Sequence, residues 1–360
     1  MCKIRAVAIL ALTLLFLPVP ASSEQPNGQL DPSIVVQFEN PQAGEHVTGI
    51  TDIAGFAGDR RAQDGSGLNE RDVQIYLDDE ESPPQYRNLL AVPGTARNGE
   101  LDERPGNCCD RELNTALLFR TPWAACTFPA GRHTLTAWVS SLAVPGARQR
   151  ATVEFATEQC PAAQVLAEHA LPVPPFSGLR AAPGESRIAP VPGDLTAVYA
   201  DFAVGLDFRC SGEGAAACGY GIVFRRIPGP ATRQQQYVSD GNYTFLVQPA
   251  QHLFLLNHWE PNAPRAIRDP LVRPTQHPAI RDGDNWNRLG VVAEGDRLRL
   301  FVNGEQVADL RDGRRPWGDI MWTGESGSNE RPVDLAFANV VIAMPGPIEA
   351  LGPVLQGPAR

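Results

Sequence analysis

The sequence has few long apolar runs and almost no lysine. Apart from one stretch near the N-terminus, no segment approaches the roughly 18 consecutive apolar residues that a transmembrane helix needs. Lys3 is the only lysine, so the positive charge comes from arginine, and 41 acidic against 31 basic residues give a net charge of −10. Nucleic acids and anionic membranes repel such a chain. The sequence therefore predicts no nucleic-acid partner and no transmembrane segment.

The familiar catalytic and metal-binding motifs are also missing. There is no H-E-x-x-H and no C-x-x-C, and the histidines follow no ligand spacing (His46, His133, His169, His252, His258 and His277). The segment Gly324–Ser328 departs from the nucleophile-elbow pattern at its last position, and no helix is predicted after it. These absences argue against zinc chemistry, thioredoxin-like redox chemistry and a serine hydrolase.

The N-terminus does contain an export signal. Lys3 and Arg5 precede an apolar run from Ala6 to Leu17, and a small-residue cleavage region follows, which together predict a signal peptide over residues 1–23. Cys2 lies before the apolar run, where it cannot be the lipid-modified cysteine of a lipoprotein. We therefore expect a secreted or periplasmic protein, with enough residues after cleavage for two domains.

Cysteine usage fits that compartment. Six cysteines follow the signal peptide, and an even number in an exported chain favours disulfide bonds over metal ligation. Cys210 and Cys218 flank a short loop rich in glycine and alanine, so we predict that they pair with each other. The other four are Cys108, Cys109, Cys126 and Cys160. Adjacent cysteines rarely bridge without strain, so we expect Cys108 and Cys109 each to pair with one of the remaining two, in an order that the sequence leaves open.

Residues 30–158 are predicted to form a first domain of short β-strands. Apolar residues alternate in segments such as Thr134–Val139, and turn residues separate these segments, as in a small sandwich. The phrases P-Q-A-G-E-H-V-T-G, beginning at Pro41, and G-R-H-T-L-T-A-W, beginning at Gly131, resemble bacterial immunoglobulin-like (Ig-like) modules of exported proteins. The resemblance implies an Ig-like β-sandwich. Residues 159–185 are rich in proline and are predicted to be a linker.

A second domain is predicted over residues 186–344, and its clearest element is the stretch from Asn285 to Leu310. Apolar and polar residues alternate there as in a half-buried strand, and Asn303-Gly304 is a strong signal for a tight hairpin turn. The phrases W-N-R-L, G-D-R-L and F-V-N-G resemble concanavalin A-like lectin and glucanase sandwiches, especially laminin-G-like and 3-keto-disaccharide-hydrolase-like domains. The resemblance implies a jelly-roll β-sandwich, so the whole chain is predicted to be all-β. Residues 345–360 are predicted to be a flexible tail.

Glycanases of the concanavalin A-like fold use paired carboxylates, and the retaining enzymes carry them on one strand in an E-x-D-x-x-E pattern. That pattern does not occur in this sequence. The nearest acidic cluster, Asp78–Glu81, falls in the first domain at the end of a strand, where a solvated turn is expected. A glucanase of the familiar kind is therefore not predicted, and binding is favoured over catalysis.

The second domain holds most of the tryptophans, and aromatic rings beside polar groups suit sugar recognition. Trp259 and Trp317 lie in loop-like sequence, and with Tyr243 and Asn262 they are the predicted ligand-binding residues. Trp286 begins a strand and is expected to pack in the core.

No cofactor is predicted, with Ca²⁺ as the one cation to consider. Asp282 and Asp284 stand beside Asn285 and offer the oxygen ligands that this ion prefers, and related sandwiches often bind it. An ordinary Asp-Gly-Asp turn is the competing interpretation.

Together these observations predict an exported protein that binds without catalysis, with a glycan as the preferred ligand of the second domain. One alternative is a glycoside-processing enzyme of the 3-keto-disaccharide-hydrolase-like kind, which would need two carboxylates facing each other across a pocket. Another is a structural or adhesive protein that contacts a cell-surface protein, for which an exposed aromatic strip without polar partners would be expected. The fold does not decide between them, because function is set by sites on a fold.

Overall fold

The computed structural model is an all-β chain built from two β-sandwiches, as the sequence predicts. It describes residues 30–68, 73–78, 89–91, 102–105, 113, 115–169, 179–182, 186–190, 197–227, 241–260, 267–282, 284–326 and 332–357. The predicted signal peptide, Cys108, Cys109 and Asn262 lie outside these residues. Within them, none of the helices could span a bilayer.

The first sandwich packs a four-stranded sheet against a five-stranded sheet. Its strands are Ile34–Asn40 (β1), His46–Val47 (β2), Ile50–Asp59 (β3), Val73–Leu77 (β4), Leu89–Ala91 (β5), Asp102–Pro105 (β6), Thr115–Ala124 (β7), Gly131–Ser140 (β8) and Arg148–Thr157 (β9). The strand orders are β1-β3-β7-β6 and β2-β9-β8-β4-β5. Alternate residues such as Val73, Ile75 and Leu135 are buried between the sheets. The Ig-like assignment of this sandwich stays a prediction.

One disulfide bond differs from the predicted pairing. Cys126 bonds to Cys160, with the two Cα atoms 4.9 Å apart. The expectation that Cys108 and Cys109 each pair with one of them is wrong, because the chain leaving β9 brings Cys160 beside the turn that holds Cys126. There the Cys160 N–H donates to the Cys126 carbonyl over 3.0 Å. The predicted bond between Cys210 and Cys218 is confirmed.

The second sandwich contains the remaining strands. These are Val165–His169 (β10), Leu179–Ala181 (β11), Ser186–Pro190 (β12), Phe202–Ser211 (β13), Cys218–Arg226 (β14), Asn242–Gln248 (β15), Leu253–Glu260 (β16), Ile267–Gln276 (β17), Asn287–Glu294 (β18), Arg297–Val302 (β19), Glu305–Arg311 (β20), Asp319–Ser326 (β21) and Val333–Ala343 (β22). The back sheet has the order β10-β22-β13-β18-β19-β20, with β11 also paired to β22. The front sheet has the order β12-β21-β14-β15-β16-β17. Phenylalanine, leucine and valine side chains fill the space between them.

The predicted hairpin is confirmed between β19 and β20. Asn303 and Gly304 adopt positive φ angles of 53° and 85°, as a type I′ turn requires. The Asn303 side chain also donates to the Ala279 carbonyl over 2.7 Å, so this residue ties the hairpin to the chain before β18.

Two stretches predicted as linker and tail are instead part of the second sandwich. Strands β10 and β11 come from the proline-rich residues 159–185, and both pair with β22. Beyond β22, the predicted tail forms a 3₁₀ turn, Ile348–Leu351, and a short α-helix, Gly352–Leu355 (α1). The apolar side chains of these turns pack against the outer face of the back sheet, in a cluster of Ala203, Val292, Phe301, Val341, Ala343, Leu351, Val354 and Leu355.

Arg288 is the buried cation beneath α1. Its Nε donates to the Val354 carbonyl over 2.7 Å, and its Nη1 lies 3.0 Å from a carboxylate oxygen of Asp207. The other oxygen of Asp207 accepts from the Asn339 amide over 2.7 Å. Gly205 lets the helix approach the sheet, because a Cβ atom there would overlap the Val354 carbonyl. The C-terminal segment is therefore held by both a buried charge and close backbone packing.

The two sandwiches meet at a packed junction. The Val198 N–H donates to the Pro122 carbonyl over 3.0 Å, and the Ala124 N–H donates to the Val198 carbonyl over 2.9 Å. Val198 and Ala200 are buried among first-sandwich residues, and Trp317 packs against the same cluster. The chain leading into β13 thus completes the core of the first sandwich.

His133 is a buried histidine whose two ring nitrogens both face acceptors. Its Nδ1 lies 2.7 Å from Asp78 Oδ2, and its Nε2 lies 2.8 Å from the Pro129 carbonyl oxygen. The hydrogen bond to Asp78 raises the pKa of His133 above its usual value, against the opposing effect of burial. Only the doubly protonated imidazolium can donate at both positions, so the site favours the charged ring.

This arrangement predicts a specific pH dependence of stability. Because the folded-state pKa is raised, the stabilisation is fully present below the unfolded-state pKa of about 6.5 and is lost as pH rises through the folded-state pKa. In urea titrations from about pH 5.5 to about pH 8.5, we expect the free energy of unfolding to fall more steeply for the wild type than for Asp78→Asn. Asparagine keeps an acceptor for the Thr134 N–H and tolerates the positive φ of residue 78. Parallel curves would show that His133 is not the titrating group.

Candidate functional site

The candidate site lies on the outer face of the front sheet, where β15 begins and β16 ends. Strand alternation turns Tyr243 and His258 towards the core and turns their neighbours outwards. Antiparallel register then pairs Asn242 with Trp259 and Thr244 with Asn257 across the two strands. We call these four outward-facing residues, Asn242, Thr244, Asn257 and Trp259, the Trp259 patch.

The Trp259 patch combines one partly exposed ring with three neutral polar groups. The Trp259 side chain is partly exposed, whereas Asn242 and Asn257 are 4 % and 8 % exposed. The Thr244 hydroxyl donates to the Asn242 side-chain oxygen over 2.8 Å, which fixes the direction of that amide. Amides and hydroxyls both donate and accept hydrogen bonds, so the partly exposed Thr244 hydroxyl and the edge of the Asn257 amide give the indole ring a neutral, polar border.

A buried ion pair lies at the end of β14, the strand that pairs with β15 of the patch. Arg226 Nε donates to Asp319 Oδ1 over 2.9 Å, and a second guanidinium nitrogen contacts Asp319 Oδ2. Burial raises the pKa of Asp319, and the guanidinium opposes that rise. The register between β14 and β21 shifts at Arg225, so the ion pair forms at a β-bulge. Its two charges neutralise each other.

The structure separates the predicted aromatic ligand residues. Trp259 lies within strand β16 and not in a loop, and it is the predicted residue that remains partly exposed on the front sheet. Tyr243 is completely buried, stacks on Phe224 at 5.3 Å, and donates its hydroxyl to Asp312 Oδ1 over 2.6 Å. Burial raises the pKa of Tyr243. It supports the strand behind the patch and offers no ring face to a ligand.

Trp317 and Trp286 have different roles from Trp259. Trp317 lies 5.7 Å from the Phe128 ring and packs on the core of the first sandwich, so it is a junction residue. Trp286 is partly exposed beside the back sheet, where the Arg209 guanidinium lies 4.9 Å from the ring centre. The prediction that Trp286 packs in the core is wrong, because it precedes β18 and its ring pairs with an arginine on the sheet surface.

Asp282 and Asp284 are exposed at a turn. The Asn285 side chain donates to the Asp282 backbone carbonyl over 2.8 Å, which is typical of a short polar turn. Among the residues that the structure describes, no three His, Cys, Asp or Glu side chains come together as metal ligands would. A Ca²⁺ site at these two residues stays a prediction.

Sequence reasoning missed Asn242, Asn257 and the Arg226–Asp319 pair. A signal for Asn242 exists in N-Y-T-F-L-V-Q, because polar residues occupy three of the four outward positions of that segment. No local sequence pattern predicts the ion pair, because Arg226 and Asp319 lie on strands that are distant in the chain.

Comparison with known families finds a match within the second sandwich. Residues 195–340 match the family model of the 3-keto-alpha-glucoside-1,2-lyase-like domain. The match confirms the resemblance predicted from the hairpin stretch, and it runs from just before β13 into β22. No curated protein matches the chain.

Several solved structures are similar to part of the chain. One is a carbohydrate-binding module from Bacillus subtilis, with 19 % identity and a TM-score of 0.31 over 41 % of this chain and 77 % of the module. Another is a Bacillus subtilis protein of unknown function with a galectin-like fold, with 12 % identity and a TM-score of 0.32 over 47 % of this chain and 80 % of that one. A third is the κ-carrageenase from Pseudoalteromonas carrageenovora in complex with an oligotetrasaccharide of κ-carrageenan, with 10 % identity and a TM-score of 0.29 over 41 % and 67 %.

Proposed function

We propose that this chain is an exported protein that binds carbohydrate without catalysis, and that its second sandwich holds the sugar on the Trp259 patch. The observation that carries the proposal is a partly exposed indole beside three neutral hydrogen-bonding side chains on adjacent strands. A sugar ring has an apolar face of C–H groups and a rim of hydroxyls, so it needs both kinds of partner. Small-ligand sites have this composition, in which apolar walls supply contact area and a few polar groups supply orientation.

Each residue of the patch has a distinct part in this proposal. The Trp259 indole stacks against the apolar face of one sugar ring. The partly exposed Thr244 hydroxyl and the small exposed edge of the Asn257 amide face the hydroxyl groups of the sugar, while the Asn242 amide accepts from Thr244 and orients its hydroxyl. The neutralised Arg226–Asp319 pair limits the patch on one side without leaving an unbalanced charge.

A glycoside-processing enzyme is the second candidate, and the description of the family matched by residues 195–340 favours it. Catalysis at a glycosidic bond needs a carboxyl group that is free to give or take a proton. Asp319 is a carboxylate on the front sheet, and both of its oxygens are engaged by Arg226. That engagement argues against proton transfer by Asp319 and supports binding over catalysis.

The test is a glycan array with the purified mature protein, with and without Ca²⁺, followed by calorimetric titration of the strongest glycan. We expect Trp259→Ala to raise the Kd about 30-fold, because a central aromatic anchor is worth about 2 kcal/mol or more. Trp286→Ala is the matched control, since it removes a partly exposed tryptophan from the other sheet. It should leave the Kd unchanged.

Other results would redirect the proposal. Binding that survives Trp259→Ala would move the site away from the patch. Release of sugar products that Asp319→Asn abolishes would replace binding with glycoside processing. Absence of binding in every condition would contradict a glycan ligand and would favour contact with a cell-surface protein.

A further inference from the structure

Thr127 is the point at which the first sandwich holds the chain that enters the second. Its hydroxyl oxygen accepts from the Ala200 N–H over 3.0 Å, and its carbonyl accepts from the Asp201 N–H over 3.1 Å. The side chain is completely buried, and its hydroxyl donates to the Ala124 carbonyl over 2.7 Å. The Cys126–Cys160 disulfide fixes the same turn. The backbone of residues 200 and 201 is therefore fixed by the first sandwich.

Arg225 joins this fixed backbone to the front sheet. Its guanidinium is fully buried, donates to the Ala200 carbonyl over 3.2 Å and to the Arg315 carbonyl over 2.9 Å, and lies 3.8 Å from the Asp201 carboxylate. Its backbone has a φ of 50°, a left-handed conformation that side-chain-bearing residues rarely adopt. Such a conformation persists only where the surroundings hold it, and here the two carbonyl anchors do so.

The next residue forms the ion pair at the end of β14. Arg226 binds Asp319 one residue after the bulge at Arg225, and β14 pairs with β15, the strand that carries Asn242 and Thr244. Gly318 packs directly against this bulge, because a Cβ atom there would overlap the backbone of Arg225 and Arg226. The position of the ion pair therefore depends on how firmly Arg225 is anchored.

We propose that the first sandwich is a positioning part of the ligand site, acting from Thr127 through Arg225 on the Arg226–Asp319 pair. This inference rests on the proposed function of the Trp259 patch. Thr127 touches no ligand; it sets the backbone that anchors Arg225. In this proposal the first sandwich does not only connect the second sandwich to other parts of its surroundings; it also sets the position of the Arg226–Asp319 pair.

The test uses the full chain and two buried threonines of the first sandwich. Thr127→Val removes the acceptor for the Ala200 N–H at nearly constant volume, and Thr127→Ser restores a hydroxyl. Thr157→Val is the control, because the Thr157 hydroxyl donates to Pro129 within the first sandwich. We expect Thr127→Val, and not Thr157→Val, to speed amide hydrogen exchange in the peptide containing Arg225 and Arg226 and to raise the Kd for the array-selected glycan about fivefold.

Two further variants test whether the effect of Thr127→Val depends on Arg225. One is Thr127→Ser, and the other combines Thr127→Val with Arg225→Lys. Thr127→Ser should restore both the exchange rate and the Kd. In an Arg225→Lys background, the effect of Thr127→Val on exchange should shrink, because residues that act in series are not additive. Unchanged exchange in Thr127→Val, or the same increase in Thr157→Val, would overturn the inference. If the wild type bound no glycan, the proposed function would fail, and exchange would still decide whether Thr127 anchors Arg225.

Discussion

Replacing Arg288 with methionine should lower the free energy of unfolding by about 3–5 kcal/mol. The guanidinium is 3 % exposed and is the cation paired with Asp207, which is 4 % exposed. Methionine would leave that carboxylate buried without a counter-charge and would remove the donor to the Val354 carbonyl. A urea titration should show a lower midpoint at an unchanged slope, which reports stability and not a change in the exposed surface.

The control for this prediction is Arg297→Met. Arg297 lies 2.6 Å from Asp309, but both side chains are substantially exposed, and such surface pairs contribute little. Its titration midpoint should stay close to that of the wild type. Adding Asp207→Asn to Arg288→Met should recover part of the loss, because it removes the unpaired charge. If the Arg288→Met variant had the same titration midpoint as the Arg297→Met variant, Arg288 would not be the anchor of the C-terminal segment.

Gly205→Ala should destabilise the protein by about 3 kcal/mol through a different cause. A methyl group at this position would overlap the Val354 carbonyl oxygen and press on the Arg288 guanidinium, so helix α1 would have to lift from the back sheet. The backbone oxygen cannot move aside without breaking its bond to Arg288. The shift in thermal midpoint, measured by calorimetry, is the readout.

Gly352→Ala is the matched glycine substitution. It lies at the first residue of α1, where nothing except its chain neighbours approaches within 4 Å of the added methyl group. The helical preference of alanine is offset by Pro353, which disfavours a helical conformation of the residue before it, so this variant should stay close to the wild type in stability. Equal losses in the two variants would show that glycine flexibility, and not the approach of the helix, explains Gly205.

Local patterns in the sequence were sufficient to predict most strands of both sandwiches. The Asn303-Gly304 turn and the Cys210–Cys218 loop were predictable because each is decided by residues close in the chain. The aromatic candidate Trp259 was found by residue type, although its place within a strand was not.

The remaining features depend on residues that meet only in the folded chain. Proline and glycine after β22 indicated a loose tail, yet the docking surface for that tail is made by Gly205 and Arg288 on distant strands. Likewise, Trp317 resembled a loop tryptophan until the first sandwich supplied Phe128 as its partner. The composition of a segment does not show which surface it will pack against. The places of the C-terminal segment and of Trp317 depend on such surfaces, which form only in the folded chain.

The strand order of the back sheet has a consequence for how the protein is made. Strand β22 pairs with β10, β11 and β13, so a strand that is made late completes a sheet begun by much earlier ones. Chains emerge from the ribosome with the N-terminal residues first, and pairings between distant segments form slowly. Until β22 has emerged, β13 has only β18 as a neighbour and β10 has no partner in its sheet. The back sheet of the second sandwich therefore cannot close until β22 has left the ribosome.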